Sequence, residues 1–89
     1  MPSSDIVISN KLGLHARAAA KLTQLASRYQ SEIFISRDAK RVNAKSIMGV
    51  MMLAAGMGVT VRLDASGNDA EQALADIQSL FDSKFGEHE

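Results

Sequence analysis

The sequence predicts an α+β fold, an open-faced two-layer β-sandwich. A four-stranded antiparallel sheet is covered on one face by three helices, in the order βαββαβα. Three observations carry that expectation. The spacing of apolar residues switches repeatedly between two and three-to-four along the chain. The two-residue segments alternate polar with apolar instead of running wholly apolar, as in a sheet with one wet face. A chain of 89 residues has room for one core, so residues 1–89 are read as a single domain.

Residues 5–9 (DIVIS) are short and β-branched, a strand with Ile6 and Ile8 on one face. Residues 10–13 form a turn. From Ala16 the period changes: Ala19, Leu22, Leu25, Ala26 and Tyr29 predict a helix running to about Arg28. Residues 32–37 (EIFISR) return to period two, with Ile33 and Ile35 inward and Phe34 on the opposite face. Asp38, Ala39 and Lys40 turn the chain into a weak strand over 41–44, which makes a hairpin.

Ser46 can cap a short helix from Ile47 to about Ala54, ended by Gly56 and Gly58. Residues 59–65 alternate again, with Val59, Val61 and Leu63 inward. Residues 66–68 form a turn. Asn68, with Glu71 three residues later, is the expected cap of a last helix carrying Ala70, Ala73, Leu74, Ile77, Leu80 and Phe81 on one face. The sequence carries no repeat, linker or low-complexity segment. Ferredoxin-like domains share the same element order, so topology alone assigns no function.

Composition narrows the chemistry. Lys+Arg and Asp+Glu both total 10, so no net charge recruits a nucleic-acid backbone or an anionic membrane. The chain lacks cysteine, which removes disulfides, thiol nucleophiles and the usual structural zinc sites. Its histidines are His15 and His88, the latter in the C-terminal tail, so no multi-histidine metal site is expected. No metal and no organic cofactor are expected. The N-terminal segment lacks the basic stretch and apolar run of a signal peptide, and a cytoplasmic location is expected. So small a domain rarely encloses a metabolite pocket, which points to chemistry on an exposed surface shared with a second protein.

Two segments stand out. Gly13-Leu14-His15-Ala16-Arg17 joins the first turn to the first helix. His15 falls at or next to the N-cap, a position that prefers Ser, Thr, Asp and Asn. The helix start carries about half a positive charge, which disfavours an imidazolium and leaves a nitrogen lone pair able to attack phosphorus. A phosphoryl group on that ring would meet the first-turn N–H groups, and the forked guanidinium of Arg17 suits phosphate oxygens. In the second segment, residues 45–53, nearly every helical position is apolar. A two-turn helix on a one-sided sheet buries one stripe, so some of Ile47, Met48 and Met51 must face water or a partner. A phosphate on Ser46 would be tolerated at the helix start and would place a dianion beside that surface. Taken singly, the same residues also fit an ordinary surface histidine, a solvated arginine, a plain capping serine and a helix whose methionines fill core gaps.

Together the segments NKLGLHARAAAKL and NAKSIMGVMMLAAGMGVTV resemble the active-site and serine-site signatures of the HPr family, the histidine-containing phosphocarriers of the bacterial phosphoenolpyruvate:sugar phosphotransferase system. The resemblance spans essentially the whole chain. It implies that His15 accepts a phosphoryl group from enzyme I on the ring nitrogen nearer the backbone, and that Arg17 assists. It implies transfer onward to the A domains of sugar-specific enzymes II, without turnover of a small molecule by the carrier itself. Ser46 matches the position modified by HPr kinase/phosphorylase, and Ala20, Ile47, Met48 and Met51 match the family's docking surface. A monomer is expected. Many members carry proline at the position of Ala18, and some carry basic residues at Gln24, Ser27 and Gly49. A nitrogen-related regulatory carrier is the near alternative. A ferredoxin-like RNA-binding module is the distant one, and it would need strand aromatics and a basic face.

Overall fold

The computed structural model describes residues 2–86 of the chain, so His88 lies outside the described residues. Four strands form one antiparallel sheet: β1 (Ser3–Val7), β2 (Glu32–Arg37), β3 (Lys40–Asn43) and β4 (Thr60–Ser66), in the spatial order β1-β4-β2-β3. Three helices, α1 (Ala16–Ala26), α2 (Ile47–Met52) and α3 (Ala70–Asp82), complete the expected order, and a 3-10 turn (Lys84–Gly86) follows. The sheet alternates as expected: Ile6, Ile33, Ile35, Val61 and Leu63 are buried, together with Ala19 and Leu22 of α1 and Ala73, Ile77 and Phe81 of α3. Phe34 lies on the other face with the Arg41 guanidinium 3.8 Å from its ring centroid. Arg41 also pairs with Asp64 at 2.9 Å, and Arg62 with Asp5 at 2.9 Å. That polar network covers the open face and gives it no apolar reason to bury itself.

Several boundaries differ from the expectation, each for a physical reason. β1 begins at Ser3 because β4 offers it a partner: Ser3 pairs with Asp64. Ile8 lies beyond β1 yet stays buried, its N–H donating to the Val59 carbonyl at 3.0 Å. α1 stops at Ala26, and Arg28 and Tyr29 close tighter turns onto Leu25 and Ala26. α2 ends at Met52 because Ala54 takes φ +52°, the left-handed region that ends helices. Arg37 then donates to the Leu53 and Ala54 carbonyls at 3.0 and 2.8 Å, a cation placed at the negative end of the helix.

The cap of α3 is a correction. Its N-cap is Asp69, not Asn68, and the Asp69 side chain makes no capping bond. The carboxylate instead accepts from the Gln30 N–H at 3.0 Å, the Ser31 N–H at 2.9 Å and the Ser31 hydroxyl. These bonds, the Ser31 hydroxyl foremost, hold the Asp69 carboxyl below its ordinary range. Asp69 thus ties the turn after α1 to the start of α3, a contact between distant segments that outweighs the local cap.

Tyr29 makes a second such tie. Its hydroxyl donates to Asp76 of α3. Burial, reinforced by that carboxylate, pushes the phenol up to about 12. A phenol in the unfolded chain ionises near its ordinary value of about 10. The neutral phenol therefore contributes stability that is complete below about pH 10 and is lost as pH rises toward 12. The stability difference between the parent chain and Tyr29→Phe, measured by urea unfolding, is expected to shift in favour of the variant across that window. A constant difference would show that this hydroxyl does not couple folding to alkaline pH.

Candidate functional site

The site is built from two connections that meet on the helical side of the sheet. The first runs from β1 to α1. Asn10 is buried, and its side-chain amide donates to the Gly13 carbonyl at 2.8 Å, while the Gly13 N–H donates to the Asn10 carbonyl at 3.2 Å. Gly13 has φ +64°, and a Cβ there would sit 2.5 Å from the Ala55 carbonyl oxygen. Only glycine lets the two connections approach so closely. The Leu14 N–H completes the clasp by donating to the Ala55 carbonyl at 2.9 Å. The loop before α1 is thereby fixed against the loop after α2, and the two segments singled out from the sequence share one surface.

His15 follows this clasp and is the N-cap of α1, in extended conformation (φ −75°, ψ 179°), with no capping bond from its side chain. Its carbonyl accepts the Ala19 N–H at 2.8 Å, the first turn of the helical ladder. The N–H groups of Ala16, Arg17 and Ala18 come before any intrahelical acceptor. The first turn carries no acidic residue, so no carboxylate of the helix claims them. His15 is half-buried and Arg17 is exposed on the same turn. Ala18 is fully buried in that turn, and alanine continues the helix there.

Ser46 is the N-cap of α2, as the sequence indicates. Its Oγ accepts the Gly49 N–H at 3.1 Å, and its N–H donates to the Asn43 carbonyl at 3.0 Å. α1 and α2 are in contact. Ile47, Met48 and Met51 are 39%, 67% and 42% exposed, so the water-facing side of α2 is apolar. Ala20 on α1 is half-buried. Gln24 and Ser27 are exposed polar positions on the same helix and at its end. Gly49 sits close to β3: a Cβ there would lie 3.2 Å from the Val42 Cβ, a tight contact that a few tenths of an ångström of movement would relieve.

Leu12, Met52 and Met57 are also exposed apolar side chains that periodicity did not single out. Met57 lies between Gly56 and Gly58, and a methionine flanked by two turn glycines is the signal that could have placed it at the surface. On the opposite side of the molecule, Phe34 is the single aromatic of the open sheet face among the described residues, and Arg41 already stacks on it. That face carries paired charges in place of the stacking platform an RNA-binding sheet uses.

Residues 2–83 match the family model described as PTS HPr component phosphorylation site. The chain is 54% identical over 89 residues, the full length of both proteins, to a phosphocarrier protein HPr of Cupriavidus necator. It is also 50% identical over 83 residues to a phosphocarrier protein NPr of Shewanella violacea, covering 93% of this chain and 91% of that one. Among solved structures it is similar to HPr-C-His from Thermoanaerobacter tengcongensis, with a TM-score of 0.97 and 48% identity over the whole of both chains.

Proposed function

Because this chain belongs to the HPr family of phosphotransferase-system phosphocarriers, we propose that His15 accepts a phosphoryl group from phosphorylated enzyme I and passes it to the A domains of sugar-specific enzymes II. The observation that carries the reading is His15 at the N-cap of α1, half-buried, on a first turn without acidic residues, with Arg17 exposed two residues on. The ring nitrogen nearer the backbone attacks phosphorus in line as the bond from phosphorus to enzyme I breaks. Arg17 and the first-turn N–H groups stabilise the charge on the migrating group. Such a shallow site holds a phosphoryl group without enclosing it, which keeps it available to the next acceptor. Residues 1–89 act as one domain, a monomer working in the cytoplasm as a stoichiometric carrier without metal or organic cofactor. Incubation with phosphoenolpyruvate and enzyme I tests the reading: an acid-labile phosphate on the chain supports it, and no labelling refutes it.

Ile47, Met48, Met51 and Ala20 form the docking surface in this reading, and Ser46 is its regulatory position, open to HPr kinase/phosphorylase. Ser46→Asp is expected to slow transfer from enzyme I roughly tenfold through charge repulsion at the docked interface. The fold is expected to survive, since Asp is as good an N-cap as Ser. Ser46→Asn, an uncharged cap, isolates the charge: equal rates for the two variants would detach Ser46 from docking.

The similarity to an NPr at 50% identity favours a second reading, a nitrogen-related regulatory carrier with the same chemistry on His15. Phosphoryl transfer from the labelled chain to A domains of sugar-specific and nitrogen-related enzymes II, compared side by side, separates the two.

A further inference from the structure

We propose that Met48, Met51, Met52 and Met57 form an oxidation site, at which peroxide-class oxidants convert the docking face to methionine sulfoxides and reversibly weaken partner docking. The consequence for docking rests on the reading of that face given above; the site itself does not. All four side chains are exposed, at 67%, 42%, 65% and 62% respectively. Methionine ordinarily fills gaps in cores, yet the buried core of the described residues contains none. The four lie within residues 48–57, on α2 and the loop after it, the same loop whose Ala55 carbonyl holds the segment before His15. The chain has no cysteine, so its soft nucleophiles are thioethers, and these are four of its five.

In the reaction a thioether sulfur attacks one oxygen of the hydroperoxide. An S–O bond forms, the O–O bond breaks, the sulfur loses two electrons, and the leaving oxygen takes a proton to become water or an alcohol. Enzymatic reduction with a dithiol restores the thioether and yields water and a disulfide. The sulfoxide is polar, and burying it against an apolar partner without a hydrogen bond is unfavourable. Because none of the four contributes to the core, oxidation is expected to leave the fold unchanged.

The experiment treats the folded chain with hydrogen peroxide and follows it by mass spectrometry, circular dichroism and transfer from enzyme I. The expected result is one oxygen gained at each of the four sulfurs at rates near that of free methionine, an unchanged spectrum, and a transfer rate lower by about tenfold or more. Methionine sulfoxide reductases with a dithiol should return the rate to its starting value. A chain carrying Met48→Leu, Met51→Leu, Met52→Leu and Met57→Leu, which keeps only the Met1 thioether, should show no change in transfer rate on peroxide treatment, whatever its own starting rate. Protected sulfurs, or unfolding on oxidation, overturn the site. Full oxidation with an unaltered transfer rate, or a leucine chain that remains peroxide-sensitive, overturns the effect on docking. Failure of the untreated chain to accept phosphate would instead count against the carrier reading, and the mass and spectral measurements would still decide the site.

Discussion

His15→Ala is expected to reduce labelling of the chain by phosphoenolpyruvate and enzyme I to background while leaving the fold intact. The loss is complete in kind because the ring nitrogen is the bond-forming atom, and no second group on the same turn can replace it. The fold survives because the His15 side chain makes no capping bond to α1 and therefore supports no helical N–H that alanine would abandon. The segment is held by its backbone, through Leu14 to Ala55 and Ala19 to His15. A stability change of about 1 kcal/mol or less is expected for such a half-buried position. Acid-labile labelling and urea unfolding on the same preparation check both halves. Labelling that persists in the variant would place the phosphoryl group elsewhere and remove His15 from the mechanism.

The residues proposed to carry the chemistry were legible because they violate local preference: a histidine where a helix wants a short oxygen-bearing side chain, and an apolar helix with no second layer to cover it. Ser46 was legible for the opposite reason, since it obeys the capping rule and the structure shows it capping. The sheet could be read from alternation alone, because strand side chains change face with every residue, which brings Ile33, Ile35, Val61 and Leu63 together on the buried face. What could not be read is decided by partners far away in sequence. Asp69 abandons its own helix to satisfy Gln30 and Ser31, and β1 takes in Ser3 and Ser4 because β4 lies beside them. Phe85 is buried with its ring 4.8 Å from that of Phe81, edge to face, although it follows α3 and carries φ +57°. A left-handed phenylalanine is an unfavourable local choice that core burial outweighs.

The clasp at Gly13 was visible in sequence only as a turn, and its distances make it the other position of large expected effect. Gly13→Ala meets two independent obstacles. Alanine at φ +64° enters the left-handed region at a cost of about 1–2 kcal/mol. Its Cβ would also lie 2.5 Å from the Ala55 oxygen and 2.6 Å from the Gly56 Cα, and both are backbone atoms with no side-chain torsion to turn aside. The two connections must separate, which stretches the Leu14 to Ala55 bond and displaces the entry to α1. The sum is expected to be about 3 kcal/mol. Gly56→Ala is the matched control on the facing loop of the clasp: nothing lies within 4 Å of a Cβ there, and a change of about 0.5 kcal/mol or less is expected. Function should separate the pair further. A shift of about 1 Å in the His15 backbone is enough to cost roughly a hundredfold in an oriented transfer, so Gly13→Ala should accept phosphate slowly even at temperatures where it is fully folded. If it unfolds early but transfers at the parent rate while folded, the clasp supports stability alone, and the positioning of His15 must come from α1 itself.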